Sequence, residues 1–334
     1  MKKLIVLALI LLLAMVYMPG QAQREYPSRD INNILVWGAG GGTDLANRLV
    51  MAEMAKVLGV NINVNNVTGG VGGSVGMYEG YSRPADGYTL VGLSESVVTA
   101  AVQGGFEHKM DVWDFFIIGG SPDLVSVTPS APYQTLEDLV EAAKRNPGGI
   151  RAGASAAGSI HHLNLLAFED GTGADFNFIP YDSSAASQNA AMTGEVTVVI
   201  TSVQEQSELL KAGRLRPLAM LVPDDFDFEG TIIPTGFDMY PGMADYLPLE
   251  QQIGFAIRKD APENVKQVLQ DAFSKAMETE PVQRYGRERY FDMKGYYGDT
   301  ANRIFDNLES VFSWTLWELG AATVNPETLG IPRP

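Results

Sequence analysis

The chain has 334 residues, no cysteine, 24 basic against 40 acidic side chains, and a formal net charge of −16. The missing cysteine excludes disulfides, thiolate metal sites, a cysteine nucleophile and a lipidated N-terminal cysteine. The acidic balance, with neither a basic patch nor an aromatic and basic motif, argues against nucleic acid or an anionic membrane surface as partner, and the length points to two domains.

At the N-terminus, Lys2 and Lys3 precede the aliphatic run from Leu4 to Val16, and Gly20-Gln21-Ala22 supplies the small residues of a cleavage site. The run is shorter than the roughly 20 residues that span a bilayer, so residues 1–22 read as a signal peptide cut after Ala22, with a membrane anchor as the weaker alternative. The mature protein is then expected to be soluble, untethered and periplasmic.

Strand and helix signals alternate from there. Ile34 to Trp37 reads as a strand, followed by Gly38-Ala39-Gly40-Gly41-Gly42-Thr43-Asp44 and a helix from Asp44 to Leu58 that stops at Gly59. Asn61 to Asn65 is the next strand, Gly69-Gly70-Val71-Gly72-Gly73 opens a helix through Tyr81, and Tyr88 to Gly92 is a third strand. Thr135-Leu136-Glu137-Asp138 is a capping box for a helix closed by Asn146-Pro147-Gly148. Strand Ile150 to Ala154 then meets a second loop, Gly153-Ala154-Ser155-Ala156-Ala157-Gly158-Ser159. Helix Ser159 to Asp170, strand Phe176 to Pro180, helix Ser184 to Thr193, strand Val196 to Thr201, helix Gln204 to Ala212 and strand Pro217 to Leu221 continue an α/β series with mostly parallel sheets. Gly254 to Ile257 reads as a strand returning to the first domain. Two helices follow, one begun by Ala261-Pro262-Glu263 and one over Thr300 to Gly320. The domains expected are 23–126 with 252–334, interrupted by 127–251.

Both glycine-rich loops lead into helices, and a helix start offers free backbone N–H groups to an anion. The alternative is that Gly40, Gly41 and Gly42 only make a tight strand-to-helix turn. A β-branched residue at Gly41 would be strained at positive φ and would block an anion from the loop amides. A bound carboxylate is expected to be met by amides and by the hydroxyls of Thr43, Ser155 and Ser159, without a lysine or arginine, since neither loop contains one. Asp44 and Ser159 read equally well as helix caps, Arg48 as an ion-pair or packing residue, and His162 as a packing residue behind the ligand.

Several short motifs, in order along the chain, carry a resemblance. Tyr26-Pro27-Ser28-Arg29-Asp30-Ile31, Gly40-Gly41-Gly42-Thr43-Asp44 with Ala46 and Arg48, and Pro84-Ala85-Asp86-Gly87-Tyr88-Thr89-Leu90 come first. Thr135-Leu136-Glu137-Asp138-Leu139, Gly158-Ser159 with His162-Leu163, Pro180-Tyr181 and Ala212-Gly213-Arg214-Leu215-Arg216 follow. Together they resemble the solute receptors of tripartite tricarboxylate transporters, the TctC or Bug type. The resemblance implies a two-domain, periplasmic-binding-protein-like fold of type II, closing on one small organic carboxylate in the cleft between the domains. It also implies delivery to a large and a small membrane subunit, by a chain expected to be a monomer without cofactor or metal. The implied ligand contacts are Trp37, Gly38 and Gly40 to Thr43 in the first loop, Gly72, then Ser155, Ala157, Ser159 and His162 in the second loop, and Tyr181 with Asp182. The chain departs from the family pattern at Val36-Trp37-Gly38-Ala39, where Pro-Phe-Ala-Pro is usual, at Asp182 in place of Lys, and at Ala156 in place of Gly. Trp37 suggests a larger aromatic wall, and an inward Asp182 would favour a ligand with a neutral or cationic far end.

Other classes fit less well. A serine hydrolase built on Ser155 with His161 or His162 lacks the usual order, and Gly38 to Gly42 falls short of a dinucleotide fingerprint. Three histidines without metal-ligand spacing leave no metal site. A ligand-sensing subunit of a signalling system would use the same ligand chemistry as a transport receptor and stays open.

Overall fold

The computed structural model describes residues 26–334, and the expected signal peptide lies outside them. The chain begins with β1 (Ile31–Leu35), α1 (Gly42–Leu58), β2 (Ile62–Asn66), α2 (Ser74–Tyr81), β3 (Thr89–Ser94) and β4 (Trp113–Gly120). It crosses to β5 (Asp123–Val127), α3 (Leu136–Arg145), β6 (Arg151–Ser155), α4 (Ile160–Thr172), β7 (Asn177–Tyr181), α5 (Ser184–Thr193), β8 (Val198–Ser202), α6 (Val203–Lys211) and β9 (Arg216–Met220). After a ribbon of β10 (Phe226–Phe228) and β11 (Thr231–Ile233) it returns through β12 (Ile253–Arg258), α7 (Glu263–Met277), α8 (Glu280–Arg289), β13 (Asp292–Tyr297) and α9 (Gly298–Glu318).

Two sheets result, ordered β13-β4-β12-β3-β1-β2 and β7-β6-β8-β5-β9. They are mixed. The βαβ units pair in parallel, β1 with β2 and β3, β6 with β7 and β8. The strands that carry the chain between units enter antiparallel: β12 against β3 and β4, and β5 against β8 and β9. Most strands of each sheet still run the same way, β1 to β4 in the first and β6 to β9 in the second, as the sequence predicts, and the strands that arrive directly from the other unit, without a covering helix, are reversed.

No element is expected from the sequence between residues 93 and 134, yet β4 and β5 lie there. In β4 successive side chains point to opposite faces, and both faces are covered. Phe115 and Ile117 join Phe305 and Phe312 of α9 on one side. Phe116 and Ile118 join Met51 and Met54 of α1 and Leu269 and Phe273 of α7 on the other. An apolar run buried on both faces has no period to betray it. Helix α8 was missed for the opposite reason, because among its residues only Val282 and Gly286 are buried.

Strand β5 pairs wholly within the second sheet, so the expected boundary after residue 126 falls inside a strand, and the first crossing is Ser121-Pro122. At the crossing Ser121 N–H donates to Gln251 Oε1 of the returning segment at 3.0 Å. Local signals elsewhere are met in detail. Thr135 Oγ1 accepts from Asp138 N at 3.1 Å while Asp138 accepts from Thr135 N at 3.2 Å, and acidic residues open α3 as basic ones close it. Replacing the cap as Thr135→Ala removes the acceptor for that orphan amide. Thermal or urea unfolding is expected to show a loss of about 1 kcal/mol.

Candidate functional site

The N-termini of α1 and α4 come from different sheets and point into one cleft. Trp37, Gly41, Gly42 and Thr43 line it from the first unit, with Ser94 to Ser96 beside them; Ser155, Ser159, His161, Ser183, Ser184 and Glu205 face them from the second. Several bonds join the units across this seam. Gly38 N–H donates to Asp182 O at 2.9 Å, Ile160 N–H to Ser96 Oγ at 2.9 Å, and Thr99 Oγ1–H to Gly158 O at 2.8 Å.

At the centre of the seam is a carboxylate that belongs to the chain itself. Glu205 Oε1 accepts from Gly42 N–H at 2.9 Å and from the Ser184 hydroxyl at 2.7 Å. Its Oε2 accepts from Ser202 N–H at 3.0 Å and the Ser202 hydroxyl at 2.9 Å, with His161 Nε2 at 3.2 Å. Burial by itself would raise the pKa of Glu205, but His161, Ser184 and the Ser202 amide overcome it and hold the group at about 2. Burial would likewise lower that of His161. Asp123, whose Oδ2 lies 2.6 Å from Nδ1, acts with Glu205 to lift it well above 6.5, so His161 is a cation between two carboxylates.

Glu95 is fully buried beside this cluster. Its Oε1 accepts from the Ser96 hydroxyl at 2.7 Å and its Oε2 from Gln252 N–H at 2.6 Å, and burial raises its pKa against those bonds. A chain of contacts thus links the second loop to the returning crossover, from Ile160 N–H through Ser96 and Glu95 to Gln252. The space left between the units is about 30 Å³, room for about two waters. A solute enters only when the units part or the side chains withdraw.

The expected site residues divide accordingly. Trp37, Gly41, Gly42, Thr43, Ser155 and Ser159 line the cleft. Trp37 is fixed by its Nε1–H to Ser94 Oγ at 3.1 Å, and Ser159 caps α4 by accepting from His162 N. Gly38 and Asp182 contribute backbone to the seam, and the Asp182 side chain is exposed and does not point inward. Gly40, at φ +82°, turns the loop, and its N–H is taken by Asp44 Oδ2 at 3.0 Å. Gly72 N–H reaches Ala157 O at 3.4 Å, a contact between loops away from the cavity wall. His162 stacks on Phe178, accepts from Gly158 N–H at 3.1 Å through Nδ1, and is kept neutral by burial with a pKa of about 4. Tyr181 packs in the second unit's own core. Arg48 is engaged with Asp44 Oδ1 at 2.9 Å and Asn66 Oδ1 at 2.7 Å.

The condition for strain at Gly41, a positive φ, is not met: its φ is −72°, and an added Cβ would make ordinary contact with Ser183. The steric demand sits one residue on. A Cβ at Gly42 would stand 2.7 Å from Gln204 Oε1 and 2.8 Å from Glu205 Oε1. His161, Glu205, Glu95 and Asp123 were all missed as site residues. Only Glu205 carried a sequence signal, since Ser202-Val203-Gln204-Glu205 is a capping box, and that signal speaks for a helix start alone.

Ser184, His161 and Asp123 form a row that resembles a catalytic triad, with Ser184 Oγ 3.3 Å from His161 Nε2. The electrostatics oppose catalysis. The Ser184 proton points to Glu205, and a histidine held cationic between two carboxylates has no lone pair with which to take it.

Two outcomes follow from Glu205 and Gly42. Because the folded pKa of Glu205, about 2, lies below its unfolded value of 4.5, its stabilisation is present above pH 4.5 and disappears as pH falls through 2. Melting curves of wild type and Glu205→Gln should therefore converge over that acid limb. Gly42→Val should leave both units folded while forcing the seam apart, seen as an increased radius of gyration by small-angle scattering.

The architecture and sequence have relatives. The structure of R. palustris Rpa4515 with adipate matches with a TM-score of 0.79 at 22% identity, covering 89% of this chain and 99% of that one. MatC from Rhodopseudomonas palustris with bound malate matches with 0.80 at 18%, covering 87% and 100%. These likenesses establish a two-unit periplasmic-binding-protein fold. In sequence, the protein BugT of Bordetella pertussis is 30% identical over 204 residues, 60% of this chain and 62% of BugT. Residues 46–306 match the family described as the tripartite tricarboxylate transporter family receptor. With that match spanning most of its length, the chain belongs to the tripartite tricarboxylate transporter family of receptors.

Proposed function

We propose that this protein is a periplasmic receptor that captures a small organic carboxylate in the cleft between its two sheets and delivers it, as a monomer, to the membrane subunits of a tripartite transporter. The observation that carries the reading is the convergence of two helix N-termini, those of α1 and α4, on one cleft lined by the hydroxyls of Thr43, Ser155 and Ser159. The first amides of each helix have no intrahelical acceptor, and their dipoles favour negative charge. Two proteins of the same fold hold adipate and malate. That both ligands are carboxylates supports the same class here.

In this reading the ligand enters the parted cleft and one carboxylate settles on the α1 and α4 amides and the three hydroxyls. Closure then brings the two sets of donors together and excludes water, so that each bond acts in a low-dielectric space. Trp37 forms an apolar wall whose indole is already held by Ser94. Recognition therefore comes from dipoles, and the acidic surface of the chain does not oppose it beyond a screening length of about 10 Å.

Ligand-free protein titrated with mono-, di-, tricarboxylates and aromatic acids should show a thermal shift. At 100 times Kd the stabilisation is about 2.7 kcal/mol. Ser159→Ala should weaken binding by about 1–3 kcal/mol, measured by calorimetry. A panel that produces no shift at all rejects the receptor reading.

A further inference from the structure

We infer that Glu205 determines the solute class of this cleft, which accepts a carboxylate with a single negative charge and a neutral or ammonium far end and rejects dicarboxylates. The inference deepens the receptor reading and rests on it. The chain's own carboxylate already occupies the leading amide of α1, Gly42 N–H, together with the Ser184 hydroxyl and His161. One anion seat of the cleft is thus filled from within.

The remaining donors are enough for one more carboxylate. They are the hydroxyls of Thr43, Ser155 and Ser159 and the amides of Thr43 and His161, since Ile160 N–H and His162 N–H are already taken by Ser96 Oγ and Ser159 Oγ. A second ligand carboxylate would find no lysine or arginine among the described lining residues, and the one cation, His161, is already shared between Asp123 and Glu205. It would instead face Glu205, with Glu95 buried close by. A like charge placed in a closed space without a partner is strongly disfavoured, whereas a carboxamide or ammonium in the same place escapes that repulsion. Selection then comes from a repulsive element as much as from an attractive one.

A dicarboxylate could bind only by driving Glu205 out. Five donors from α5, the start of α6, α1 and His161 hold that side chain, two of them from its own capping box at Ser202. Its low pKa reports the same preference for the charged, bound form. Withdrawal would also leave His161 cationic, buried and facing Asp123 alone.

The test compares isosteric pairs that differ by one charge: succinate against succinamate, with 4-aminobutanoate as the ammonium member, and terephthalate against 4-carbamoylbenzoate. Calorimetry on ligand-free wild-type protein is expected to show the singly charged member of a pair binding at least tenfold more tightly. In Glu205→Gln, whose side chain is isosteric and neutral, the preference should shrink about tenfold. Equal or tighter binding of the dicarboxylate by wild type overturns the inference, and that ratio decides alone if the variant does not fold. A preference unchanged in folded Glu205→Gln overturns it too, as does a cleft that binds di- or tricarboxylates from the wider panel but neither singly charged series. If no carboxylate of any kind binds, the receptor reading fails first, which is a different result.

Discussion

A carboxylate buried between two sheets must be surrounded by donors, and Glu205 draws them from both. Leaving it uncompensated would cost several kcal/mol, far more than any single contact contributes. The seam is arranged around that requirement. Gly42 reaches it from the first unit, and Ser184, Ser202 and His161 reach it from the second. Asp123 in turn keeps His161 protonated, and the strand that carries Asp123 is the one that enters directly from the first unit across Ser121-Pro122. The crossing of the chain and the charge balance of the cleft are therefore parts of one arrangement.

The same arrangement sets this row of serine, histidine and aspartate apart from a catalytic triad. A catalytic histidine has to be neutral on the side facing the serine. In this cleft a second carboxylate stands on that side and takes the serine's proton as a hydrogen bond. What the cluster offers is fixed polarity, with dipoles and paired charges that are already oriented when a solute arrives. That is a property suited to binding, and it is consistent with the family to which the chain belongs.

Much of the fold could be read from local chemistry. The glycine-led starts of α1 and α4, the stop at Gly59, the capping box of α3 and the αβ alternation are consequences of backbone geometry within a few residues, and each stands where the sequence places it to within about two residues. Part of the cleft was legible for the same reason, since Gly41, Gly42, Thr43, Ser155 and Ser159 belong to loops whose chemistry is local. Strand β4 was not legible, because Phe115, Phe116, Ile117 and Ile118 serve two cores at once and show no period.

The sequence by itself determined that two helix N-termini, rich in glycine and serine and free of basic side chains, would be available to an anion. Only the tertiary structure decided what meets them. Glu205 lies 163 residues from Gly42, and within its own helix it is no more than the third residue of a cap. His161 adjoins the family-like His162, yet the turn of the helix sends one ring to the buried pair of carboxylates and the other to Phe178. Burial of charge and its compensation depend on which surfaces come together, and a short motif holds no record of that.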